Sequence, residues 1–211
     1  MAAQGYRPPA PSYAQLNSPV VVVGPQFCLQ YPVDFTVVEK ALHITDGNFT
    51  VTDVNGTVAF KVKGKMLSLR DRRVLLDNAG NPVLSMQQKV FTAHRRWVVY
   101  RGDSTDSKDL LFSTKKSSLI QFKTELSVYL AANTSEKACD FKVKGSYGER
   151  ACTIYLGESD TIVAQMRRQH TLKNAMLGKD MFGVTIYPNI DYAFIVALIV
   201  ILDEVNDDRG D

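Results

Sequence analysis

The chain has 211 residues, enough for one large β domain or two small ones, with the 45% hydrophobic and 22% charged content of an ordinary globular protein. A net charge of +3 is too small to imply a polyanion partner by itself. The distribution says more: thirteen Lys or Arg face five acids between Lys61 and Lys116, and five acids face Arg209 between Asp203 and Asp211.

At the N-terminus, residues 1–19 place Pro8, Pro9, Pro11 and Pro19 among Ala, Ser, Gln and Tyr. They are expected to form a flexible Pro-rich tail, and they lack the charged start and apolar stretch of a secretory leader. Cys28, Cys139 and Cys152 are odd in number and widely spaced, and they form no CxxC pair. They are expected to be reduced thiols of a cytosolic protein. The sequons at Asn48, Asn55 and Asn133 would then go unused. Met1 is followed by Ala2 rather than by the glycine that N-myristoylation requires, and no terminal prenylation box is present.

Between Val33 and Ile186 the chain makes short runs rich in Val, Ile, Phe, Tyr and Thr, such as "TVAFKVK", "RRVLLD", "RWVVYR", "CTIYL" and "FGVTIY". Turns separate them. Asn55-Gly56 and "DNAG" at 77–80 are hairpin signals, because Asn and Gly tolerate the positive φ of tight turns. The spacing predicts about a dozen strands in a sandwich or barrel, with no long amphipathic helix before residue 190. "FKVKG" occurs at Phe60–Gly64 and again at Phe141–Gly145, and similar strand–turn–strand patterns follow, ending at Met86 and Met166. This echo points to two related antiparallel halves that close a barrel and remove its exposed edges.

From Tyr192 to Leu202 the only polar side-chain atom is the Tyr192 hydroxyl. As a helix these residues span about 16 Å, against about 30 Å for a hydrocarbon core. A helix apolar all round is buried all round, and in a β protein the place to bury it is the barrel lumen. Its large side chains would contribute about 12–24 kcal/mol of gross transfer free energy, an upper bound. Asp191 suits the helix start, whereas Asp203 and Glu204 stand at the end where the dipole disfavours anions. They are solvated, paired with basic residues at a barrel rim, or used for something else. The organisation expected is a tail over 1–19, one domain over 20–205 with a central helix over about 190–204, and an acidic tail over 206–211.

The blocks "VVVVGPQFC", "YPVDFTVVEK", "ITDGNFTVTDVNGTVAFKVKGK", "SLRDRRVLLDNAGNPVLSM" and "RRWVVYRG" resemble the LURP-one-related family of plants over about residues 20–205. That family is similar in fold to the tubby C-terminal domain and to the phospholipid scramblases. The resemblance implies a mainly β fold: a closed antiparallel barrel of twelve strands around a central hydrophobic C-terminal helix. It also implies a group linked to plant defence, and kinship with membrane-tethered transcription factors that bind phosphoinositide head groups. On that basis the chain is expected to be cytoplasmic, peripheral at the plasma membrane, with nuclear relocation. The scramblase palmitoylation cluster has no counterpart, since Cys28 stands alone, and "DEVNDDRGD" lacks the Gly and final Glu of an EF-hand loop at their required spacing.

Among the residues themselves, Lys61, Lys63 and Lys65 alternate along a strand and so share one face, and Arg70, Arg72 and Arg73 follow beyond a turn. A hairpin would gather these six cations into a patch for a multiply charged phosphate, such as an acidic phospholipid head group. The plain alternative is a solvated strand face. Direct DNA binding is disfavoured, because no five-residue basic cluster, zinc spacing or helix-turn-helix pattern occurs. No GxSxG, HExxH, P-loop or GxGxxG is present, and His43, His94 and His170 lie far apart, so no enzyme, metal or cofactor is expected. The alternatives carried forward are a small-ligand carrier barrel and a calcium-responsive, scramblase-like membrane protein.

Overall fold

Period-two burial is plain at residues 60–63, where Phe60 and Val62 are buried while Lys61 and Lys63 are exposed. The computed structural model describes residues 16–39, 49–64, 72–89, 96–116, 124–168 and 180–207. They form twelve strands in chain order: β1 (Val33–Glu39), β2 (Phe49–Thr52), β3 (Val58–Gly64), β4 (Arg72–Asp77), β5 (Pro82–Lys89) and β6 (Arg96–Arg101), then β7 (Leu110–Lys116), β8 (Thr124–Leu130), β9 (Phe141–Ser146), β10 (Ala151–Leu156), β11 (Ile162–Arg168) and β12 (Asp180–Ile186). Each pairs antiparallel with its neighbours in sequence, and β1 pairs with β12 to close the ring. Closure leaves no unpaired edge.

Both predicted hairpins form. The Asp53 carboxylate accepts from the amides of Asn55 and Thr57 at 2.9 and 2.8 Å, while Gly56 takes φ +80°. Asp77 does the same for the Asn81 amide at 2.8 Å, with Gly80 at φ +90°. The two "FKVKG" copies lie on β3 and β9, six strands apart in the ring of twelve, with Phe60, Val62, Phe141 and Val143 all in the core. The second copy needs its glycine. Gly145 has φ +145°, and a Cβ there would come within 2.1 Å of the Ala151 carbonyl oxygen.

The helix, α1 (Tyr192–Asp207), fills the lumen. Every residue from Ala193 to Leu202 is at most 2% exposed. Phe194 stacks edge-on against Phe112 at 5.0 Å and lies tilted against Phe141 at 4.8 Å. No helix of the described residues is long and apolar enough to cross a membrane. The helix runs three residues beyond the end expected from sequence, and the Asn206 side chain donates to the Leu202 carbonyl at 2.5 Å in that last turn.

The segment 16–28 lies across the helix N-terminus. Val20 bridges Ile190 in parallel, and Cys28 bridges Asp191 antiparallel. Leu16, placed in the tail by sequence, packs against the core, and its carbonyl accepts from Asn189 at 2.7 Å.

Candidate functional site

Lys61 and Lys63 project from the outer wall of β3, exposed, because their inward neighbours Phe60 and Val62 fix the strand's pleat. Arg72 and Arg73 open β4, and the same alternation separates them. Arg72 turns outward: its NH2 donates to the Asp103 carbonyl at 2.8 Å and pairs with the Asp103 carboxylate at 2.7 Å. Arg73 faces Met86 across the pair and turns inward, so its guanidinium reaches Glu204 at the helix end. Gly64 leaves it room: a Cβ there would sit 3.3 Å from Arg73 NH1. Four of the six sequence candidates are therefore described. Two are exposed on the outer wall, one is held outside by a loop, and one is engaged inside; Lys65 and Arg70 lie outside the described residues.

The acids after Leu202 take the rim-pairing alternative. Arg73 Nε and NH2 meet the two Glu204 oxygens at 2.5 and 2.9 Å. Asp203, 4% exposed, accepts from the Tyr147 hydroxyl at 2.5 Å, with Arg150 NH1 4.0 Å away. Arg150 lies over the Tyr147 ring at 4.1 Å and the Phe182 ring at 4.8 Å. These partners offset the unfavourable dipole position. Sequence offered no pointer to Tyr147 or Arg150, which stand in a turn with no pattern of their own.

At the other end of the helix Asp191 is fully buried. Its Oδ2 accepts the amides of Val22, Val23 and Gly24 at 3.1, 2.7 and 3.1 Å, and its Oδ1 caps the Phe194 amide at 3.1 Å. Arg101 NH1 adds a contact to the Val23 carbonyl. The helix-capping role was readable in sequence; the clamp on the N-terminal segment was not, since it spans the whole chain.

The two lysines of the second "FKVKG" copy also divide. Lys142 contacts Glu158 and lies 3.7 Å from Glu125, while Lys144 is exposed over the Tyr155 ring at 5.6 Å. The Glu158 hydrogen bond raises the Lys142 pKa above the usual lysine value. The thiols are poor nucleophiles. Burial pushes Cys28 and Cys139 up to about 11 and Cys152 to about 12. Among the described residues no three His, Cys, Asp or Glu group as metal ligands. His43, His94 and His170 lie outside them.

A family model described as LURP-one-related matches residues 33–203. The chain belongs to the LURP-one-related family. It is 56% identical over 191 residues to "Protein LURP-one-related 15" of Arabidopsis thaliana, covering 90% of this chain and 88% of that one. It is 47% identical over 190 residues to "Protein LURP1" of Arabidopsis thaliana, covering 90% and 92%. An X-ray structure of a protein from Arabidopsis thaliana superposes with a TM-score of 0.70 at 49% identity, covering 88% of this chain and 98% of that one. The LURP-one-related barrel thus carries on its outer wall a lysine pair that takes no part in the lumen packing.

Proposed function

We propose that this LURP-one-related protein is a non-enzymatic binding module that engages acidic phospholipid head groups through the outer wall of β3. The reading rests on one observation: Lys61 and Lys63 stand exposed side by side on a rigid strand, while Phe60 and Val62 carry its packing. Two ammonium groups on one face favour a multiply charged phosphate at the surface, each lysine near an anionic leaflet being worth about 1 kcal/mol. Arg72, steered by Asp103, borders that face.

Family membership supports a signalling role in plant defence, and the kinship with tubby and scramblase proteins that the sequence resemblance implies supports a peripheral site at the cytoplasmic leaflet with relocation to the nucleus. The carrier alternative is less well supported, because helix side chains occupy the lumen a small ligand would need. A calcium-dependent role is less well supported too, because Asp203 and Glu204 already have protein partners.

The test is co-sedimentation with vesicles of phosphatidylcholine alone or with added phosphoinositide. Pelleting that requires phosphoinositide and falls with salt is expected. Equal, negligible pelleting with both vesicles contradicts the reading.

A further inference from the structure

Gly183 sits in the interior of β12, where glycine weakens a strand, yet it is not among the described glycines with positive φ. Backbone freedom therefore does not account for it. A strand glycine marks a bulge, a bend at a barrel corner or a close approach to the backbone, and β12 pairs with both neighbours without a register shift, which excludes the bulge. Here it floors a groove of about 330 Å³ on the outer wall, between β1 and β11. A volume of that size is at the lower end for a small-molecule site.

The register shows how the walls are made. Thr36, Gly183 and Arg167 form one row across β1, β12 and β11, and Asp34, Thr185 and Gln165 form the next. Phe35 and Val184 turn their side chains inward, so they offer only backbone to the floor. One wall presents the Asp34 carboxylate, whose Oδ1 takes the Thr185 hydroxyl at 2.6 Å, together with the hydroxyl of Thr36. The other wall presents Arg167. Its NH2 donates to Gln165 Oε1 at 2.8 Å, and that same oxygen accepts from the Tyr187 hydroxyl at 3.0 Å. A neutral amide thus steers the guanidinium without neutralising it. Two strand spacings, about 10 Å, separate the hydroxyl wall from the cationic wall.

We infer that this groove binds a polyhydroxylated ring bearing one anionic group. Asp34 and Thr36 take ring hydroxyls, Arg167 takes the anion, and the exposed Val54 covers an apolar ring face. Arg167 and Arg168 against Asp34 leave an excess of one positive charge, which suits a phosphate or carboxylate. A peptide is a poorer fit, because the closed barrel offers no edge for strand addition. The groove lies on the other side of β2 from Lys61 and Lys63 and does not depend on them.

Calorimetric titration of the full chain with myo-inositol 1-phosphate, neutral myo-inositol and inorganic phosphate tests this. One saturable site for myo-inositol 1-phosphate is expected, with both other probes at least about 10-fold weaker. Gly183→Val, which fills the groove without changing charge, and Arg167→Gln, at an exposed position that keeps the fold, each lose about 10-fold. Lys137→Glu, an exposed reversal of charge outside the groove, leaves the affinity unchanged. Phosphatidylinositol vesicles that compete for the site identify a lipid source, and vesicles that do not identify a soluble one; both support the site. Absence of saturable binding by myo-inositol 1-phosphate, inorganic phosphate binding as tightly, or binding that survives both groove substitutions overturns it.

Discussion

Arg73 on β4 and Glu204 at the end of the helix form a two-point ion pair, although 131 positions separate them. The contact ties the barrel wall to its axle at the end where an anion on the helix is disfavoured. Both side chains are less than a fifth exposed, so removing one takes a two-point partner from a desolvated charge.

Arg73→Ala is expected to lower unfolding free energy by about 2–4 kcal/mol. Urea denaturation measures it, and a double-mutant cycle with Glu204→Ala should return a coupling above about 1 kcal/mol. Additive effects would show that the pair contributes nothing beyond its parts.

Asp191 satisfies four backbone amides, three of them in the N-terminal segment. Asp191→Ala strands those donors in a buried place and is expected to cost about 3 kcal/mol or more. Hydrogen exchange should also speed at Val22, Val23 and Gly24. Unchanged protection of these amides would mean that the carboxylate does not hold the segment.

Glu136 is held below the usual carboxylate range, first by hydrogen bonding from Arg96 and then by Lys115. A depressed folded pKa gives stability that is fully present above about pH 4.5 and lost as pH falls through the lower folded value. Denaturation at pH 7 and pH 3 should therefore show Glu136→Gln less stable than the parent at pH 7, with the gap closing at pH 3. A gap equal at both values contradicts the pairing.

The raised pKa values of Cys28, Cys139 and Cys152 predict slow modification of the native protein by a thiol reagent at pH 8, and rapid modification of all three in denaturant. Fast native labelling of Cys139 or Cys152 would show a more open wall than the one described.

The ring of strands and the helix inside it were legible because their signals are local. Alternation gave Phe60 and Val62 to the core, and an unbroken apolar run gave α1 to the lumen. The site was only partly legible. Alternation also parts Arg72 from Arg73, but which parity faces inward is not readable until Gly64 is seen opposite Arg73. Asp203 and Glu204 find partners in Tyr147, Arg150 and Arg73, which are neighbours only once the barrel closes. The groove at Gly183 depends on the register of three strands, β11 and β12 next to each other in the chain and β1 near its other end.

The most direct test of the central claim compares vesicle pelleting of the parent with Lys61→Glu/Lys63→Glu, on vesicles containing phosphoinositide and with excess myo-inositol 1-phosphate present to occupy the groove at Gly183. Both positions are exposed and lie outside the core, so the melting temperature should stay the same. The account predicts loss of pelleting with an unchanged melt. A charge-reversed protein that pellets as the parent does would contradict it.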